Sequence, residues 1–180
     1  MSDDAPIVPL GGDEPYVGSQ FSVRVGRFRH ADGEEVQREY VHRTAAAAIV
    51  AYDDEHVWLV RQPREAILQH TLELPAGKLD VEGESALQTA RRELTEEIGQ
   101  EAQHWRQIAC FYSSSGYSDE LVHVFAATGL RHREDAELDP SERIEIVRWP
   151  LSDLDAALAA TNDAKTLVGL GWLRRLGAAE

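Results

Sequence analysis

From Gly77 to Gly99 the chain reads GKLDVEGESALQTARRELTEEIG, and the second half of this stretch carries the period of a helix. Leu87, Ala90, Leu94 and Ile98 fall within a narrow arc when each residue advances ~100°. Ser85 followed by Gln88 predicts a capping box at the start, and Gly99 predicts a left-handed stop. With Leu94 at the centre of the buried face, Glu93 and Glu97 lie ~100° and ~60° to one side, at its border, and Arg92 and Glu96 lie on the far side. Glu93 with Glu97 four residues on, and with Glu96 three on, repel by a few tenths of a kcal/mol in an isolated helix. An offsetting charge is therefore expected. Arg92 with Glu96 supplies one pair, which leaves Glu93 and Glu97 facing a cleft with no cation fixed by sequence. A hard divalent ion fills that role. Oxygen-only ligands select Mg²⁺ or Mn²⁺ over Zn²⁺, and the Cys and His spacing of a zinc site is absent. A solvated acidic helix face is the competing reading of the same charges.

Working outward, the pattern upstream is extended. Thr44 to Tyr52 and His56 to Gln62 flank the turn Asp53-Asp54-Glu55, and the first is apolar on both faces, which predicts a central strand covered on two sides. Phe21, Val23 and Val25 alternate with polar residues and lead through Asp32-Gly33 to a second run, Glu35 to His42, which predicts a hairpin. Residues 1–15 mix Asp, Pro and Gly without a period and are expected to be a loose arm. Downstream, strands are expected at Trp105 to Tyr112, Leu121 to Ala127 and Ile144 to Trp149. Two helices then follow, one from Pro150 toward Ala160 and one from Asp163 to Leu176. No repeat and no second domain is visible.

Composition narrows the function. The 180 residues carry a net charge of −14, which removes any general attraction to DNA, RNA or anionic lipid. The longest apolar run, Ala45 to Tyr52, is far short of the ~20 residues of a membrane-spanning helix. The single cysteine, Cys110, cannot form an internal disulfide, and the N-terminal residues lack the regions of a signal peptide, so a soluble cytoplasmic protein is expected.

The order of residues from Gly77 onward resembles the Nudix box, G-x5-E-x7-R-E-U-x-E-E-x-G-U with U a bulky apolar residue. Glu84 stands eight before Arg92, and Arg92 to Gly99 fits the second half without a gap. Six residues separate Gly77 from Glu84 where the box has five, and Gln100 replaces its last apolar position. Over roughly residues 35–175 the chain is similar to the ADP-ribose pyrophosphatase branch of the family. The similar segments are Arg38 to His42, Arg61 to Arg64, Leu72 to Gly77, Ser113 to Glu120 and Asp163 to Leu167. Ser115 stands where the branch has Pro, and Pro63 where an aromatic is common.

The resemblance implies an α/β fold: a Nudix α/β/α sandwich over residues 44–180, with a mixed central sheet and an N-terminal β-hairpin in antiparallel strands 16–43. It implies hydrolysis of ADP-ribose to AMP and ribose 5-phosphate, using two or three Mg²⁺ or Mn²⁺ ions. GDP-mannose or another nucleoside diphosphate sugar is the alternative substrate, and a non-catalytic ADP-ribose sensor the remote one. The implied metal ligands are Glu93 and Glu97, assisted by Glu96 or Glu84 and the backbone carbonyl of Ala76, with Arg92 orienting the carboxylates. A metal-bound carboxylate is a poor proton acceptor. In this branch the base often sits on a loop between the later strands, so the resemblance implies Glu142, at the end of the acidic loop, as the general base, with Glu145 next. Arg64 matches the phosphate-side arginine, Arg38 and Glu39 the region that reads the adenosine end, and Ser118, Asp119 and Glu120 the pocket mouth. Phe28 and Tyr40 are candidates to stack on adenine. Relatives in this branch are commonly dimers that exchange N-terminal strands, so a homodimer is expected.

Overall fold

Five successive residues, Ala47 to Ala51, have no exposed surface, and they form the middle of strand β4 (Ala46–Tyr52). Neighbouring side chains on a strand point to opposite faces, and here each face finds a helix. Ala47, Ile49 and Ala51 pack with Ala90, Leu94 and Ile98 of α1 (Ala86–Ile98). Ala48 and Val50 pack with Ala157 of α2 (Leu154–Ala160) and with Leu170 and Leu173 of α3 (Ala164–Gly177). The result is the expected α/β/α sandwich. The chain is seen in a computed structural model that describes residues 6–134 and 143–177.

The sheet of this sandwich is built from β4, β5 (His56–Arg64), β6 (Gln69–Glu73), β7 (Ala76–Lys78), β8 (Gln100–Tyr112), β9 (Leu121–His132) and β10 (Glu145–Pro150). Its central order is β10-β5-β4-β9-β8, with β6 added to β5 and β7 to β4. β4 runs parallel to β9 and antiparallel to β5, so the sheet is mixed. The short strands β6 and β7 carry no sequence signal of their own. They matter because they lead the chain from the end of β5 to the start of α1.

α1 begins and ends where its capping residues place it. Ser85 Oγ accepts from the Gln88 amide while Gln88 Oε1 accepts from the Ser85 amide at 2.9 Å, and Gly99 closes the helix with φ 65°. β8 starts at Gln100, five residues earlier than the apolar pattern suggested. Pro150 leads first into a single 3-10 turn, Leu151–Asp153, before α2.

A second unit comprises the chain up to Thr44 together with Tyr112–Leu121. It holds a three-stranded antiparallel sheet of β1 (Val8–Val17), β2 (Ser22–Arg29) and β3 (Glu35–His42). The β2–β3 hairpin turns at Gly33 as expected. The loose arm, however, is corrected: from Val8 it is strand. Its order comes from pairing with β2, broken by register shifts between Pro9 and Gly12 and between Asp13 and Tyr16. Such breaks erase the two-residue period that marks a strand in sequence. The Ser-rich loop joins this sheet through the Val41 amide, which donates to the Tyr117 carbonyl at 2.8 Å. Among the described residues no helix is long and apolar enough to cross a membrane.

Candidate active site

The helical period of α1 sets the site. Glu93 and Glu97 lie one turn apart and are buried, at 7% and 6% exposure, while Glu96 points outward. Buried carboxylates are costly unless their charge is answered, and part of the answer is Arg92. Its Nη1 donates at 2.7 Å to both Glu96 and Glu93, and its Nε lies 3.4 Å from Glu84 Oε2. Helical spacing selects the Glu96 pair alone. The expectation that Glu93 lacks a protein cation is therefore corrected: the long arginine stem and its five-donor fork reach the adjacent carboxylate as well. Glu96 and Glu93 hold the guanidinium firmly protonated even though burial acts against the charge.

β7 closes the other side. The Ala76 amide donates to Glu97 Oε2 at 3.1 Å. A Cβ built at Gly77 would overlap the Glu93 carboxylate, so glycine lets the backbone pass that close with the carboxylate in place. Glu84, in the loop before α1, also accepts from Thr89 Oγ1 at 3.1 Å. Glu84, Glu93 and Glu96 are thus brought together on Arg92, while Glu97 is held by the Ala76 amide. Among the described residues no three His, Cys, Asp or Glu side chains form a ready-made metal cage. The carboxylates are gathered on the guanidinium instead. The all-oxygen donor chemistry of these carboxylates fits hard divalent ions.

Arg64, at the end of β5, grips Glu73 of β6 through Nε at 2.6 Å and Nη2 at 2.7 Å. Glu73 is 1% exposed and also receives Lys165 Nζ of α3 and Thr71 Oγ1. Burial alone would raise its pKa, but the hydrogen bonds from Arg64 and the charge of Lys165 bring it down to about 2. Arg64 is in turn raised, chiefly by the Glu73 hydrogen bond and more weakly by the charges of Asp163 and Glu97. Sequence reasoning assigned no role to Glu73 or Lys165. The available signal was a single carboxylate inside the apolar run Leu72-Glu73-Leu74.

Glu142 lies outside the described residues. Glu145 stands opposite Arg61 on β10, with the pair 3.8 Å apart and the carboxylate exposed.

In the three-stranded unit, Phe28 of β2 and Tyr40 of β3 lie with ring centroids 6.4 Å apart beside a cavity of about 280 Å³ that Arg24 and Glu14 also line. Arg38 and Glu39 are exposed on β3. Asp119 is tied down, with Oδ2 2.6 Å from His42 Nδ1 and Oδ1 accepting from the Arg43 amide at 3.0 Å. Burial pushes its pKa up, and the His42 and Arg43 bonds outweigh that and lower it. Glu120 pairs with Arg43 at 3.2 Å, and the Ser118 hydroxyl accepts from the Glu120 amide. These three residues fasten the Ser-rich loop to β3.

The sequence between the fold's markers has relatives. A profile of the NUDIX domain matches residues 41–168, and the chain belongs to that family. It is 37% identical to the ADP-ribose pyrophosphatase of Bacillus subtilis (strain 168), over 92% of this chain and 91% of that protein. It is 40% identical to the ADP-ribose pyrophosphatase of Mycobacterium tuberculosis (strain ATCC 25618 / H37Rv), over 72% of this chain and 66% of that one. Among solved structures it is similar to a crystal structure of an ADP compounds hydrolase, with a TM-score of 0.79 and 25% identity over 94% of this chain and 92% of the other.

Proposed function

We propose that this chain is a divalent-metal-dependent hydrolase that cleaves the pyrophosphate bond of ADP-ribose, giving AMP and ribose 5-phosphate. The observation that carries the reading is the pair of buried carboxylates, Glu93 and Glu97, held one turn apart on α1 against Ala76 and Gly77. The names of the relatives support the substrate.

A phosphate anhydride is repelled by a chain of net charge −14 unless cations intervene. Two or three Mg²⁺ or Mn²⁺ ions, when bound, supply that charge against the phosphate oxygens and acidify an attacking water. Glu93 and Glu97 would hold them, with Glu96, Glu84 and the Ala76 carbonyl completing the set. Arg92 keeps Glu84, Glu93 and Glu96 in one fan and so orients these carboxylates as a set. Water adds to one phosphorus, the bridging P–O bond breaks, and the water's proton passes to a carboxylate that is not engaged with metal. We assign that role to Glu142 by resemblance, with Glu145 as the next candidate. Arg64 contacts phosphate, Phe28 and Tyr40 stack on adenine, and Arg38 and Glu39 read the adenosine end. Ser118, Asp119 and Glu120 shape the pocket mouth by fixing their loop.

The protein acts as a cytoplasmic homodimer in this reading. Exposed Tyr16 and Val17 on β1, with exposed Phe21 in the turn just before β2, support an association surface. A panel of nucleotide sugars tests the substrate, with AMP and GMP release as the readouts. ADP-ribose is expected to have the highest kcat/KM. A ranking that puts it among the poorest, with GDP-mannose above it, would favour the alternative that Ser115 keeps open.

A further inference from the structure

The acidic helix is not the only charged cluster in the sandwich. Glu73 is a buried carboxylate served by two cations, Arg64 from β5 and Lys165 from α3, and by the Thr71 hydroxyl. Lys165 also donates to Asp163 Oδ1 at 3.0 Å, and Asp163 Oδ2 accepts from the Thr166 amide at the start of α3. One carboxylate under two cations orients both. Arg64 spends Nε and Nη2 on Glu73, and its Nη1 has no protein partner among the described residues, with the side chain 45% exposed. The ammonium of Lys165 has three donors and gives two of them to Glu73 and Asp163. Glu73 precedes Ala76 by three residues, a reach of roughly 10 Å in extended chain, and Ala76 donates to Glu97. The charge of Glu97 is felt at Arg64. The strand that carries Glu73 thus leads directly into the strand whose Ala76 holds Glu97.

We propose that Lys165 is a second phosphate-binding cation beside Arg64, and that Glu73 is the positioning residue that locks the two side by side. The inference rests on the hydrolase reading. It assigns this chain's metal-independent grip on the substrate phosphates to residues from two different elements. A hydrogen bond between a charged donor and a charged acceptor is worth a factor of roughly 10 to 100 in binding.

The test is Lys165→Met, which keeps the stem and removes the charge. It is read by steady-state kinetics with ADP-ribose and by calorimetric titration of ribose 5-phosphate, a phosphate monoester that needs no turnover to be detected. The expected result is a KM raised roughly tenfold with kcat changed much less, and ribose 5-phosphate affinity weakened in parallel. Lys165→Arg, which keeps the charge, should restore most of both. Should Lys165→Met melt below the assay temperature, the double variant Glu73→Gln/Lys165→Met removes the buried charge with its cation, and the same weakening is expected. Unchanged KM and unchanged ribose 5-phosphate affinity in a folded variant overturn the proposal and leave the cluster a purely structural tie between α3 and the sheet. Wild-type protein that ignores ADP-ribose overturns the hydrolase reading instead, because the ribose 5-phosphate titration still reads the cation pair.

Discussion

Glu97 accepts the Ala76 amide with one carboxylate oxygen at 3.1 Å, and glutamine in its place preserves that acceptor while removing the charge. Glu97→Gln should therefore leave the melting temperature within a few degrees of wild type and lower kcat by about 100-fold or more, measured by AMP release at saturating Mg²⁺. Glu73 makes a separate prediction in acid. Its folded pKa of about 2 lies below its unfolded value of 4.5, so the stability it contributes is complete above pH ~4.5 and is lost as pH falls toward 2. Thermal melts from pH 6 to pH 2.5 should show a steeper loss for wild type than for Glu73→Gln, and parallel curves would contradict this. At this scale the sequence was legible wherever partners lie close along the chain. Arg92 and Glu96 stand four residues apart on one helix, and their pair follows from that spacing. Glu73 and Lys165 are 92 residues apart, a separation that no local pattern spans, and neither was assigned a role. The shared reach of Arg92 to Glu93 was missed for a related reason, since spacing rules describe helix faces and not the length of a guanidinium arm.

The helix α1 is the element on which the site depends, and its first turn is held by the reciprocal Ser85–Gln88 cap. Ser85→Ala removes one arm of that cap and should cost ~1 kcal/mol, or roughly 2–4 °C in a chain of this size, measurable by calorimetry. No change would mean that packing of Ala90, Leu94 and Ile98 alone fixes the helix start. This element was legible because its caps, its apolar arc and its charges agree with one another. β4 was legible as a run of apolar residues covered on both faces, whereas the sandwich built around it was implied by the resemblance to the Nudix box. β6 and β7 were not. They are five and three residues long, interrupted by Pro75, and owe their existence to neighbours in the sheet rather than to their own pattern. β1 was misread for the same reason, since Pro9, Gly11, Gly12 and Pro15 describe a coil until β2 pairs with them.

Across the whole molecule the surplus of negative charge is the dominant electrostatic fact, with the formal charge at −14. Ions that bind the folded chain and not the unfolded one raise its melting temperature by mass action. Millimolar Mg²⁺ or Mn²⁺ should therefore raise it by several degrees in wild type and by less in Glu97→Gln; equal shifts would point to nonspecific screening. Sedimentation at micromolar concentration should report two 20.1 kDa chains moving together, and a sharp monomer mass would count against the homodimer. The most direct test of the central claim is product analysis of ADP-ribose incubated with the purified protein, with Mg²⁺ and then with excess chelator. Equimolar AMP and ribose 5-phosphate that appear with the metal and vanish with the chelator are the predicted result. Hydrolysis that persists at full rate without divalent ions, or no AMP under either condition, would contradict it.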